Sequence, residues 1–392
     1  MKKNSNAVIL KPGRDKAIRH HHHWIFSGAI DFAPPYTNGD VLGVTSAVGD
    51  HLGYGYFHHD TSIAGRMLSF DDTPGEPALQ ASLKRAIALR PHLIDTHTTT
   101  AYRLVNSEGD NIPGLVIDIY ADTIVLQIST LGIEKLKPLI IETLQNELHP
   151  SGIYEKSNVP GRREEGLGNT EGILFGNIPE EIAITEHGLK FSVSLLHGQK
   201  TGLFLDQREM RQWVRELATG KRVLNCFGYT GGFSVYALSG GAKHVTTVDI
   251  SEEAIALTKK NILLNGFENK NVRSIAADVF TLLHDEPLDF DLIILDPPAF
   301  AKKKTDVVAA CRGYKEINRV ALQKMPAGSL LLTSSCSYHV DEKLFQTVLF
   351  QAAVEAGRNV RIIGRHRLAP DHPMSIFHPE GEYLKSLLLF VE

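Results

Sequence analysis

The chain has 392 residues, 43% of them hydrophobic and 22% charged, a globular composition long enough for two or three domains. No apolar run reaches the roughly 18 residues a membrane span requires, and three cysteines, Cys226, Cys311 and Cys336, suit a reducing compartment and lack zinc-ligand spacing. A net charge of −4 excludes nucleic-acid binding through a global basic field, so any RNA partner must be held by local patches.

Residues 1–6 are polar and lead into a strand, unlike the apolar core of a secretion signal, so a cytoplasmic location with no membrane partner is expected. Residues 7–10, 24–26, 40–44, 53–57 and 63–68 have strand character, punctuated by Pro12-Gly13, Pro34-Pro35, Asn38-Gly39 and Gly49-Asp50. This predicts a small β-barrel or sandwich. Lys11, Arg14, Lys16 and Arg19 make its leading edge basic. The run His20–His23 invites a metal reading, but adjacent imidazoles rarely share one ion, and a solvated loop with weak phosphate affinity is expected.

A helix carrying Leu79, Leu83, Ile87 and Leu89 leads to a second part. Strands are expected there at 102–106, 115–120 and 123–129, a helix over 134–148, and strand pieces at 152–155, 173–175 and 182–186. Arg162-Arg163-Glu164-Glu165, between Gly161 and Gly166, is expected to face solvent. This middle part reads as α+β, and its residues carry no chemistry of their own.

From about residue 187 strands and helices alternate. Strands are predicted at 222–226, 244–249, 272–276, 290–295, 329–333, 360–363 and 384–391, and helices at 233–238, 252–265, 314–324 and 342–355. Ser251 has the place of an N-cap, and Gly266 and Gly357 those of C-caps. Five βα repeats and two closing strands predict a doubly wound sheet, which binds ligands at the carboxyl ends of its strands. The expected domains are 1–74, 75–190 and 191–392.

The first strand of that sheet runs into Phe227-Gly228-Tyr229-Thr230-Gly231-Gly232, and the second ends on Asp249-Ile250. Glycines admit a ligand close to the backbone, a helix N-terminus offers unpaired N–H groups, and an acid on the second strand can accept ribose hydroxyls. No G-x-G-x-x-G register fits, which disfavours a pyrophosphate. S-adenosylmethionine, with a ribose and an amino-acid tail but no phosphate, suits the looser turn. Asp278 either accepts from the adenine amine or caps a short helix. Lys200 and Arg208 are candidates for the methionine carboxylate and Asp206 for its ammonium, unless this stretch is simply the capped start of a helix.

Asp296-Pro297-Pro298-Ala299-Phe300 leaves a wholly apolar strand, and its prolines remove backbone donors, so carbonyls and the acid can face a planar ring. Cys336 sits among Ser334, Ser335 and Ser337, where a buried inert cysteine would have apolar neighbours. A thiolate there has a definite use: addition to carbon 6 of cytosine makes carbon 5 nucleophilic enough to take a methyl group. Asp296 would contact the ring's nitrogen edge. His339 either tunes the thiol or faces solvent. Residues 301–324 hold seven basic residues against two acids, a run suited to phosphates beside such a site.

At these residues the chain resembles the RlmI-like family, PUA-domain class I methyltransferases that make 5-methylcytosine in large-subunit ribosomal RNA. The resemblance runs over nearly the whole chain, through Leu10-Lys-Pro-Gly-Arg14, Trp24-Ile-Phe-Ser-Gly28, Tyr102–Asn106, Gly198–Arg208, Tyr229–Phe233, Asp296–Phe300, Arg312–Lys315, Ser335–His339, Ala369–Pro373 and Glu380–Leu384. It implies a PUA β-barrel for RNA, a central α+β domain and a Rossmann-like methyltransferase sheet closed by a β6–β7 hairpin. It also implies Cys336 as nucleophile. Together with the residue reading, it assigns Cys336 and Asp296 to catalysis. The cofactor-binding set is Lys200, Thr201, Phe204, Asp206, Gln207, Arg208, Phe227, Tyr229, Thr230, Gly231, Asp249, Ile250, Asp278, Val279, Asp296 and Pro297. The implied partner is ribosomal RNA, naked or in a particle, with a homodimer left open and no metal.

The chain departs from that family in three places. His20–Trp24 stands where basic-His-Pro-Trp is the pattern, Cys226-Phe-Gly-Tyr stands where Phe-Cys-Tyr is, and Ala299 replaces the second cysteine many RNA cytosine-5 enzymes carry. Two other functions compete: methylation of an exocyclic amine or ring nitrogen, in which an aromatic directly follows the second proline, and an RNA-binding factor without activity.

Overall fold

The computed structural model describes residues 6–195 and 202–392. Its contacts divide the chain into two units.

The first unit comprises residues up to Ile184, Val193–Leu205 and Pro370–Gly381. It holds a six-stranded sheet from the N-terminal strands and a five-stranded sheet built by Ala101–Asn106, Leu115–Tyr120, Thr123–Ile128, Gly152–Ser157 and Thr170–Gly176. Helices Gly75–Leu93 and Leu131–Leu148 bury Leu79, Leu83, Ile140 and Leu144 in one core with that second sheet. Ile30–Phe32 and the helical turn Lys16–Arg19 add elements the sequence pattern did not signal.

Two readings of this unit are overturned. Arg162 and Glu165 are buried, not solvent-facing. The short helix Gly161–Glu164 turns Arg162 inward, where it donates to the carbonyls of Gly168 (2.6 Å) and Ile128 (2.9 Å), to Glu134 (2.9 Å) and to Thr170 Oγ1 (3.0 Å). Glu165 accepts from Arg66 (2.7 Å) and from the Leu131 amide (3.2 Å). A buried guanidinium is tolerated because its donors are met. The histidine run is solvated only in its first half, His20 and His21, which are exposed. His23 is buried, one ring nitrogen 3.1 Å from Asn111, and burial pushes its pKa down to about 4. His22 Nδ1 accepts from the Trp24 amide (3.2 Å), so its Nε2 carries the hydrogen and faces Glu380 (3.4 Å), which sits beside His378 (3.7 Å).

In the second unit the seven-stranded sheet is formed by β1 (Arg222–Cys226), β2 (His244–Asp249), β3 (Val272–Ala276), β4 (Leu292–Leu295), β5 (Leu330–Ser335), β6 (Val360–His366) and β7 (Lys385–Val391). Its order is β3-β2-β1-β4-β5-β7-β6, with β7 antiparallel between β5 and β6. Helices α1 (Gly232–Ser239), α2 (Glu252–Leu264), α3 (Val279–Asp285), α4 (Val307–Lys324) and α5 (Glu342–Ala356) make the crossovers. Among the parallel strands β4 is wholly apolar and buried, as expected of a strand covered on both faces, while β2 and β3 carry Thr246, Thr247, Arg273 and Ser274. All four β4 residues are buried, and Ile293 and Leu295 join a core shared with Tyr314, Ile317 and Phe345. Helix α4 begins seven residues ahead of expectation, running straight on from the 3-10 turn Lys304–Asp306, in which Asp306 accepts from the Lys303 amide (3.0 Å). Gly313, a poor helix former, obscured that in the sequence. Among the described residues no helix is long and apolar enough to cross a membrane.

Candidate active site

The order β3-β2-β1-β4-β5 reverses at β1/β4, the switch point where ligands sit beyond the carboxyl ends of such strands. The turn after β1 is strained: Phe227 (φ 59°) and Tyr229 (φ 45°) are non-glycine residues in the left-handed region, on either side of Gly228. A Cβ on Gly228 would collide with Thr247, so the turn needs glycine there. The Asp249 carboxylate at the tip of β2 holds this loop, accepting from the amides of Tyr229 (2.9 Å) and Ser251 (3.0 Å). Next to it Ile250 is 73% exposed, an apolar side chain left at a strand tip. Asp278 is exposed and caps α3 by accepting from the Thr281 amide (2.8 Å), the structural role foreseen for it, while Val279 is buried.

Beyond β4, Asp296 is half-buried and its Oδ1 accepts from Gln207 (2.9 Å). Cys336, just past β5, is half-buried and its Sγ donates to the Pro297 carbonyl (3.8 Å). The loops that follow the neighbouring strands β4 and β5 therefore touch, through the Cys336 sulfur and the Pro297 carbonyl. Ser337 locks the two loops together: its Oγ accepts from the Ala301 amide (3.1 Å) and meets the Tyr314 hydroxyl (2.9 Å). The His339 ring lies against Tyr338, centroids 5.3 Å apart.

Asp206 is buried, and its carboxylate accepts from the Tyr383 hydroxyl (2.5 Å). Arg208 is buried 3.5 Å from Glu186, which also takes two bonds from Arg211 (2.7 and 2.6 Å) and one from Tyr236 (3.0 Å). Burial alone would push the Glu186 carboxyl up, but the two arginines outweigh it and hold it below the usual range. Phe204 is half-buried, Thr230 and Gly231 lie in the β1 turn, and Lys200 and Thr201 lie outside the described residues. Of the basic run after Asp296, Lys315 pairs with Glu355 (2.7 Å), Arg319 with Glu316 (2.7 Å), and Lys324 donates to backbone carbonyls. Lys302, Lys303, Lys304 and Arg312 remain exposed. Tyr383, Lys385 and Glu186 escaped the residue-level reading; nothing in their local pattern marks which strand tip they approach.

This donor set suits the cofactor. Carboxylates at the tips of β2 and β3 and an apolar side chain between them match a ribose and adenine, and the strained turn offers no three-glycine cradle for a pyrophosphate. The fold and this site define an S-adenosylmethionine-dependent class I methyltransferase. Residues 169–377 match the family model of S-adenosylmethionine-dependent methyltransferases, and residues 8–70 match a PUA-like domain. The chain is 40% identical over 390 residues to the Alteromonas mediterranea protein named ribosomal RNA large subunit methyltransferase I, covering 98% of each. The namesake from Aliivibrio fischeri strain MJ11 is 41% identical over 386 residues, 97% of this chain and 98% of that one. The chain belongs to this family of methyltransferases, and its cofactor is S-adenosylmethionine. A methyltransferase crystallised with SAH superposes with TM-score 0.84 at 25% identity, over 98% of this chain and 100% of that one.

Proposed function

We propose that the chain methylates carbon 5 of a cytosine in large-subunit ribosomal RNA through a transient bond between Cys336 and carbon 6. The observation that carries this reading is the contact of Cys336 Sγ with the carbonyl next to Asp296 (3.8 Å). It brings the Asp296-Pro297 loop against the thiol, which supports a nucleophile and an acid acting on one base. The Cys336 thiolate forms an S–C6 bond as the C5=C6 electron pair moves to carbon 5. Asp296, held by Gln207, hydrogen-bonds the ring's nitrogen edge and favours that addition. S-adenosylmethionine, when bound, supplies the methyl group as an electrophile. Loss of the carbon 5 proton to a base then re-forms the double bond and expels the Cys336 sulfur.

Asp249 and Asp278 would take the ribose hydroxyls and adenine amine, Ile250 the adenine face, and Asp206 the ammonium, with Lys200, Thr201 and Arg208 toward the carboxylate. The relatives' names supply ribosomal RNA as the substrate. The groove lined by Arg14, Lys16, His20, Trp24 and Phe26 in the PUA-like region has the basic and aromatic groups RNA requires. Methylation of a base nitrogen is disfavoured by Phe300, the aromatic that would stack on an amine-bearing ring, because it packs on Tyr314 (centroids 4.6 Å).

RNA containing 5-fluorocytidine tests the reading. A covalent complex that forms with the intact protein and is lost in Cys336→Ala is expected. A product methylated on nitrogen, seen by nucleoside mass spectrometry without any covalent complex, would overturn it.

A further inference from the structure

One buried cation near the thiol has no part in the reaction as described. Lys385 opens β7, paired across the sheet with Ser335, the last residue of β5. Its side chain is 4% exposed, and its ammonium donates to the carbonyls of Ser337 and Tyr383, both at 2.7 Å. Both acceptors are neutral. A buried ammonium that meets only neutral groups has lost its hydration without gaining a counter-charge, a state proteins relieve by deprotonation or by an adjacent anion.

The groups around it identify that anion. Burial pushes the Lys385 amine down to about 8; against this act charge on Cys336 and then the carboxylates of Glu382, in the loop before β7, and Asp341, the N-cap of α5. Three described groups near the thiol do not supply a positive charge. The Pro297 carbonyl is an acceptor, suited to S–H and not to S⁻. Tyr314 of α4 is buried, and burial pushes its pKa up, so it stays neutral. His339 turns to Tyr338.

We propose that Lys385 is the counter-charge of a Cys336 thiolate, a positioning residue that acts through the sulfur and does not touch the base. It rests on the reading of Cys336 as nucleophile. When Cys336 ionises, its proton leaves the Pro297 carbonyl for solvent and the Lys385 ammonium keeps its own, so the pair carries no net charge. The same ammonium ties Ser337 to Tyr383 and keeps the strand tip that bears the sulfur in place.

The test is the pH profile of Cys336 alkylation by iodoacetamide in the full chain, read on the Cys336 peptide by mass spectrometry. The intact protein should show a midpoint below the ordinary thiol value of about 8.5. Lys385→Met should raise that midpoint by about one unit, slowing alkylation near pH 7 about tenfold, and Lys385→Arg should restore it. A purely structural role would change the high-pH plateau and leave the midpoint where it was. Equal midpoints in the intact protein and Lys385→Met would overturn the proposal. So would an intact-protein midpoint at or above the ordinary value, which decides the matter even if Lys385→Met does not fold. Trapping by 5-fluorocytidine with an unmoved midpoint sinks this pairing alone; a moved midpoint without trapping upholds the pairing and sinks the nucleophile.

Discussion

Residues 161–166 and the loops around Asp296 and Cys336 all carry polar or charged side chains, and the fold uses them in opposite ways. Arg162 is buried with its guanidinium divided among two carbonyls, a carboxylate and a hydroxyl. Asp296 and Cys336 are half-buried at strand tips, where a planar ligand could still reach them. Charge alone does not separate structure from chemistry; how completely the fold surrounds the group does. In the first segment the polar groups close a backbone, and in the second they stay partly exposed.

The comparison would break most visibly at the sulfur. Cys336→Ala should lower methyl transfer at least a thousandfold while S-adenosylmethionine affinity, measured by calorimetry, stays within about twofold, since nucleophile loss removes the chemical step and not cofactor binding. Asp296→Asn should follow with a loss of about a hundredfold in kcat, in the range for removing a positioned acid–base group; an unchanged kcat would separate Asp296 from the chemistry.

On the other side of the comparison, Arg162→Met should leave kcat untouched and destabilise the first unit by about 3 kcal/mol, because Glu134 and the carbonyls lose a buried partner. Urea unfolding followed by fluorescence checks this. Glu186 sharpens the same point through pH. Its folded pKa is depressed below the unfolded value of about 4.3. The stability it contributes is therefore present above that value and lost as pH falls through the folded pKa. Glu186→Gln should flatten the acid limb of the unfolding midpoint below about pH 4. The smallest effect belongs to Gln207→Leu, which removes one hydrogen bond from Asp296 and should reduce kcat about fivefold, near the 1 kcal/mol of a single such bond.

The periodicity of the C-terminal half was legible because each strand is a short β-branched or leucine run bounded by turn residues. Predicted and observed strands there agree to within three residues, the largest difference being the end of β6 at His366 where 363 was expected. Ser251 and Gly357 cap where expected: Ser251 accepts from the Ala254 amide, and Gly357 has φ 67°. The strand Leu189–Val193 was missed although His187-Gly188 makes the turn before it; it is a five-residue piece of a two-stranded sheet with Ile182–Glu186. Arg162 and His23 were misplaced for a different reason. A window of a few residues shows their polarity but not the partners, such as Glu134 or Asn111, that make burial affordable.

Local sequence by itself determined the order of strands and helices, the glycine turn after β1 and the acids at successive strand ends, because these follow from side-chain periodicity and from backbone angles that few residues adopt. The tertiary structure alone decided that β7 inserts beside β5, that Lys385 arrives under Cys336, and that the carbonyl after Asp296 meets the sulfur. Those neighbours are brought together by strand pairing across dozens of residues, and hydrogen-bond registry over that distance leaves no trace in any local pattern.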